Sequence, residues 1–150
     1  MADQQPRFLL ISTRLDKFMQ EHELSCLVRA GGLSPEDFRV FDATSEPVSD
    51  DLYDQYEAVF IGGTGDFSVA QDRPDWFDSL SKWTAGLLDR GVPSLGLCYG
   101  FHLMAHATGG EVKTRPDLEE TGTFEVRLTD AGQSDDILSC LPGKFLAQQG

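Results

Sequence analysis

Gly91 to Gly110 reads GVPSLGLCYGFHLMAHATGG, twenty residues without a charged side chain. About 20 apolar residues would suffice for a membrane span. This window, however, holds five glycines, Pro93, Ser94, Thr108 and two histidines, which is poor composition for one. It reads as two short buried elements joined by a tight turn. Ser94-Leu95-Gly96-Leu97 predicts a strand, and Phe101 to Thr108 predicts a helix that Gly109-Gly110 stops.

Upstream of this window the same alternation repeats. Arg7-Phe8-Leu9-Leu10-Ile11-Ser12 is an apolar run suited to a strand buried on both faces. Leu15, Phe18, Met19, His22 and Cys26 follow at helical spacing, which predicts a helix packing that side, and Gly31-Gly32 supplies its stop. Asp37 to Asp42 and Tyr56 to Ile61 are the next two strands. Asp72 and Pro74 then open a helix with Trp76, Leu80, Trp83 and Leu87 on one face, closed by Gly91 and Pro93. Strands alternating with helices predict an α/β fold: three layers, a mostly parallel sheet with helices on both faces. After Gly110 the pattern changes. Phe124, Val126 and Leu128 alternate with polar residues as in a half-buried antiparallel strand, residues 134–139 predict a helical turn, and Lys144 to Ala147 another strand.

The chain has 150 residues, 25 Asp+Glu against 12 Lys+Arg, and a formal net charge of −13. That length fits one domain, 1–150, with a substantial core. The acidic balance excludes nucleic acid and an anionic membrane as main partners, since both need a basic footprint. Three widely spaced cysteines, Cys26, Cys98 and Cys140, form no C-x-x-C pair. A disulfide framework and a zinc knuckle are therefore not expected, and a reducing compartment is. The first residues lack the basic and apolar blocks of a signal peptide, so the expected location is cytoplasmic. Cys26 and Cys140, set among apolar residues, read as core thiols, and His22 as a packed residue of the first helix. Trp76 and Trp83 read as core packing. Glu119-Glu120 and Asp135-Asp136 read as solvated charge, with no spacing that makes metal ligands.

Ligands of α/β sheets gather at the carboxyl ends of the strands, and two motifs fall there. Gly96-Leu97-Cys98-Tyr99-Gly100 places small residues two before and two after a thiol, which permits a sharp turn that lifts the side chain above the sheet. A helix N-terminus favours thiolate, and the Tyr99 N–H would face an oxyanion formed beside Cys98. A buried structural cysteine is the alternative reading of that motif alone. Gly62-Gly63-Thr64-Gly65-Asp66-Phe67-Ser68 has no following Gly-Lys-Ser/Thr, which excludes a phosphate loop. Its glycines could bring backbone N–H groups to a reacting carbonyl, or form a plain turn.

Together these motifs resemble the class I glutamine amidotransferase family, in particular the glutaminase module of GMP-synthase-like members. LGLCYGFHLMAHATGGEV (95–112) is similar to that family's nucleophile turn and helix, IGGTGD (61–66) to its oxyanion loop, and TGTFEVRLT (121–129) to the segment that follows. The resemblance implies a flavodoxin-like sheet whose C-terminal part is incomplete here. It implies glutamine as substrate, an ammonia-accepting synthetase domain or subunit as partner, and neither cofactor nor metal. Cys98 would be the nucleophile, Gly63 and Tyr99 the oxyanion donors, and Gly100 and His102 the substrate-binding positions. His102 stands where many members carry Gln. The family's general base is a His followed two residues later by Glu. No His-x-Glu occurs in these residues, whose only histidines are His22, His102 and His106. The resemblance thus implies a domain truncated before that pair. Two alternatives stay open: a catalytically inactive binding or regulatory domain, and a gamma-glutamyl peptidase-type cysteine hydrolase.

Overall fold

The computed structural model of the protein describes residues 6–118 and 121–149. Glu119-Glu120 lie outside the described residues. The chain forms two compact units, Met1–Lys113 and Thr114–Gly150.

The first unit is built on four parallel strands, β1 (Phe8–Ser12), β2 (Phe38–Asp42), β3 (Ala58–Ile61) and β4 (Ser94–Gly96), in the order β2-β1-β3-β4. The four strands expected from the sequence are all present, and the sheet is parallel throughout. β1 is interior, and Leu9, Leu10 and Ile11 are fully buried. Alternation along the strand sends these residues to opposite faces. On one face Leu9, Ile11, Val59 and Ile61 join the main core. Phe8, Phe38 and Phe60 form an aromatic triangle with centroids 5.4 to 5.9 Å apart. The order reverses direction at β1/β3, where flavodoxin-like sheets hold their ligands.

Two helices supply much of the rest of that core, with Phe41, Ala43, Leu52, Tyr53 and Val69 completing it. In α2 (Phe77–Asp89), Phe77, Leu80, Trp83 and Leu87 recur at helical spacing and are buried. α3 (Tyr99–Ala107) adds Leu103. Trp83 stacks on Tyr53 with centroids 5.1 Å apart, and the Tyr53 hydroxyl donates to the Trp83 carbonyl at 2.9 Å. The α2 helix begins five residues after Asp72, because residues 72–74 are irregular and Asp75-Trp76 form a turn.

The helix α1 (Lys17–Gly31) stops at the expected glycines but starts after Leu15, which lies outside it. The Asp16 carboxylate accepts from the Met19 N–H at 3.0 Å, and Gly32 ends the helix at φ 62°. The buried side is not the expected one. Leu15, Phe18 and Met19 are 62%, 71% and 40% exposed, and His22 and Cys26 are exposed with them. The buried side holds Glu23, flanked by the half-buried Gln20, Leu24, Leu27 and Val28. The sequence carries two overlapping apolar stripes here, and the one that seats Glu23 is turned inward. His22 is thus not packed in the core. Its ring lies along that of Phe18 and within 3.9 Å of the Cys26 sulfur.

In the second unit, β5 (Gly122–Arg127) pairs antiparallel with β6 (Lys144–Gln149), with Val126 opposite Phe145. Between them lie the short helix α4 (Asp130–Gln133) and a 3-10 turn at Leu138–Cys140. Asp135 is more than solvated charge. The N–H groups of Leu138 and Ile137 donate to its carboxylate at 2.8 and 2.9 Å and hold it below the usual range. Cys140 is exposed like Cys26, so neither is a core thiol; the Cys140 thiol donates to the Ile137 carbonyl at the surface. Among the described residues no helix is long and apolar enough to cross a membrane.

Candidate active site at the carboxyl ends of β1, β3 and β4

Three neighbouring strands end at one place. β1 leads into Thr13 and Arg14, β3 into Gly62 and Gly63, and β4 into Cys98. Hydroxyls tie the first two loops together: Thr13 donates to the Gly63 carbonyl at 3.3 Å, and Thr64 to the Thr13 carbonyl at 3.2 Å.

Cys98 lies between β4 and α3 with φ 52° and ψ −107°. Among the described residues it is the one non-glycine with positive φ. Such a conformation costs about 1–3 kcal/mol and persists only where surrounding structure enforces it. The two motif glycines show how. A Cβ at Gly96 would lie 2.6 Å from the Phe101 nitrogen, so only glycine lets the first turn of α3 close back over the strand. A Cβ at Gly100 would strike the Ile61 carbonyl, 2.7 Å from its carbon. The Gly100 N–H donates to the Gly62 carbonyl at 3.1 Å and to that of Leu97 at 2.9 Å. The turn is thereby pressed onto the end of β3, and the Cys98 side chain is left exposed.

The cysteine and the glycine loop, separate in sequence, adjoin in space. A Cβ at Gly63 would meet Cys98 Cβ at 3.5 Å, Glu23 Oε1 at 3.3 Å and Arg14 Nη2 at 3.1 Å. As the first residue of α3, Tyr99 has an N–H that its own helix cannot satisfy. Its ring is buried, edge-on to Trp76 at 6.2 Å, and Trp76 is edge-on to Phe67 at 5.2 Å. Burial pushes the Tyr99 hydroxyl up to about 12, with Arg73 lowering it and Asp72 raising it. That hydroxyl has no hydrogen-bond partner among the described residues. Tyr99→Phe is therefore expected to leave stability at pH 7 unchanged or slightly higher. In the unfolded chain the phenol ionises near pH 10, ahead of the folded state. The wild type should lose stability between about pH 10 and 12, and the variant should lack that component of the loss; chemical denaturation across this range measures both.

His102 is exposed in the first turn of α3, and its N–H donates to the Cys98 carbonyl at 3.2 Å. His106 packs on Phe77 at 5.3 Å instead of approaching the thiol. A cavity of about 500 Å³ opens on the α1 side, lined by Arg14, Met19, His22, Glu23, Cys26 and Leu97. Among the described residues no three His, Cys, Asp or Glu side chains are grouped to hold a metal ion.

Two residues at the site had no place in the motifs. Glu23 is buried on α1. Its Oε1 accepts from the Gly63 N–H at 2.7 Å and from Arg14 Nη2 at 2.9 Å, while Oε2 is buried without a partner. A Cβ at Gly62 would press on the same carboxylate, 2.9 Å from its carbon. The signal for Arg14 was its place just past the end of β1, where ligand-facing residues collect. Glu23 offered only a charge in the middle of an apolar helix.

Comparison with known proteins gives the family and the fold. The chain is 44% identical over 66 residues to GMP synthase [glutamine-hydrolyzing] of Neisseria meningitidis serogroup C, covering 44% of this chain and 12% of that protein. It is 36% identical over 92 residues to the Thermobifida fusca enzyme of the same name, covering 61% and 15%. The chain thus spans a small part of the length of these relatives. A crystal structure of a glutamine amidotransferase from Thermotoga maritima superposes with a TM-score of 0.70 at 19% identity, covering 97% of this chain and 60% of that one, which shows the shared fold. The family model described as glutamine amidotransferase class-I matches residues 22–147, and the chain belongs to that family.

Proposed function

We propose that this chain carries a glutaminase site in which Cys98 is the nucleophile. The observation that carries this reading is the exposed thiol at φ 52°, lifted off the end of β4 and set against Gly63. The Cys98 thiolate attacks the carbonyl carbon of the glutamine side-chain amide. A C–S bond forms, and the oxygen takes up negative charge facing the Tyr99 and Gly63 N–H groups. The C–N bond then breaks, and nitrogen leaves as ammonia after gaining a proton. Water hydrolyses the thioester to glutamate and frees the thiol. Gly100 and His102 border the substrate, His102 with a ring that can hydrogen-bond its polar end. No residue among these 150 is assigned the proton transfers, since no His-x-Glu is present. The names of the GMP synthase relatives support glutamine as substrate and an ammonia-accepting synthetase domain or subunit as partner. The proposed compartment is the cytoplasm.

A test independent of turnover uses a glutamine-shaped chloroketone, whose alkylation of a thiol releases chloride and needs no general acid. All three cysteines are exposed, so accessibility alone does not favour Cys98. Peptide mass mapping should find Cys98 labelled at least about tenfold faster than Cys26 or Cys140, with free glutamine slowing only that label. Cys98→Ala should remove the fast label. Equal labelling of the three cysteines would sink the reading.

A further inference from the structure

The hydrogen bond between the Gly63 N–H and Glu23 Oε1 has a consequence for the chemistry beside it. A backbone amide has one proton to donate. At 2.7 Å from a carboxylate, this one is committed to a charge-assisted bond, the strong kind. The carboxylate is itself fixed: Arg14 holds the same oxygen, the side chain is 9% exposed, and it occupies the space that a side chain at Gly62 would need. An oxyanion formed on Cys98 would need that proton and would meet a negative charge already in place.

We propose that Glu23 is a positioning residue that keeps the Gly63 side of the oxyanion site closed, and that the site opens when this carboxylate releases the Gly63 N–H. The inference rests on the role proposed for Cys98 and Gly63. Arg14 is the second half of the latch, since its guanidinium is what keeps a carboxylate at this depth. The latch acts through Gly63 and touches no substrate.

Two reagents separate this role from a structural one. With p-nitrophenyl acetate, the Cys98 thiolate attacks the ester carbonyl, a C–S bond forms, and the aryl C–O bond breaks. Nitrophenolate departs with its electron pair and needs no general acid, while charge builds transiently on the carbonyl oxygen. With iodoacetamide, a C–S bond forms and iodide leaves without any oxyanion. In a chain carrying Cys26→Ser and Cys140→Ser, the acylation rate divided by the alkylation rate therefore reads oxyanion stabilisation apart from thiol reactivity. Glu23→Gln should raise that ratio about tenfold or more. The Gly63 amide proton resonance should move upfield as the bond to a full charge is lost. Glu23→Asp, one methylene shorter, should raise the ratio too, and serves if the first variant fails to fold. The double variant Arg14→Gln/Glu23→Gln should keep the rise. An unchanged or lowered ratio in folded Glu23→Gln overturns the proposal. A rise that vanishes in the double variant also overturns it, because the freed Arg14 charge would then be the cause. Loss of chloroketone selectivity removes the glutaminase reading itself, whereas intact selectivity with an unchanged ratio removes only the role of Glu23.

Discussion

Gly100→Ala is expected to cost the first unit about 4 kcal/mol or more, the top of the range for single substitutions. The added methyl has no room to relax into. It meets the backbone of Ile61, not the end of a mobile side chain, with the carbonyl carbon at 2.7 Å and the Ile61 Cβ at 3.0 Å. Moving α3 away would break the Gly100 donation to Gly62 and the Leu97 donation to Ile61 at 2.9 Å. It would also pull Leu103, fully buried, out of the core. For a domain of this size the loss corresponds to roughly 12 °C or more in Tm. Calorimetry gives the value, and a drop under about 1 kcal/mol would show that the turn is not pressed onto β3 as described. The same substitution at Gly65, which has open space around its Cβ position, should cost little and serves as the control.

Cys98→Gly should have the opposite sign for stability and a total effect on the thiol chemistry. Glycine takes positive φ without penalty, so the variant recovers most of the strain stored at φ 52° and returns part of it as unfolded-chain entropy. The net expectation is a gain of about 1 kcal/mol. Chloroketone labelling of this position disappears, since no nucleophile remains. Cys98→Ala keeps a Cβ at the strained position and should lose the labelling without the gain in stability. That contrast separates backbone strain from loss of the sulfur. If Ala and Gly stabilise equally, the strain is not in the backbone.

The parallel sheet was legible because its interior strand β1 is buried on both faces and leaves the continuous apolar run Leu9-Leu10-Ile11. The turn at Cys98 was legible because its glycines are demanded by backbone contacts, which no other residue type can make. The orientation of α1 was not. Leu15, Phe18, Met19 and Cys26 on one side compete with Leu24, Leu27 and Val28 on another, and periodicity alone cannot rank two stripes. The stripe turned inward holds a carboxylate with an amide proton and a guanidinium to meet, and both partners lie outside the helix. Glu23 was illegible for the same reason, since its partner Gly63 is 40 residues away in sequence. Cys26 and Cys140 show that a thiol among apolar neighbours in sequence need not be among them in space.

The seating of Gly100 on Ile61 also orders events in time. None of the four parallel strands can pair through a local hairpin, so every ladder waits for a crossover, and β1 meets its β3 partners 50 residues later in the chain. The carbonyl that receives the turn belongs to β3, and β4 pairs with β3 along Val59 to Ile61. Until that ladder exists nothing forces Cys98 from an ordinary conformation, and if the ladder opens the residue has every reason to revert. The strained turn is then seated no earlier than the β3–β4 pairing and is free to relax when that edge frays. A chain that presents its thiol above the sheet has, by that fact, already joined β4 to β3.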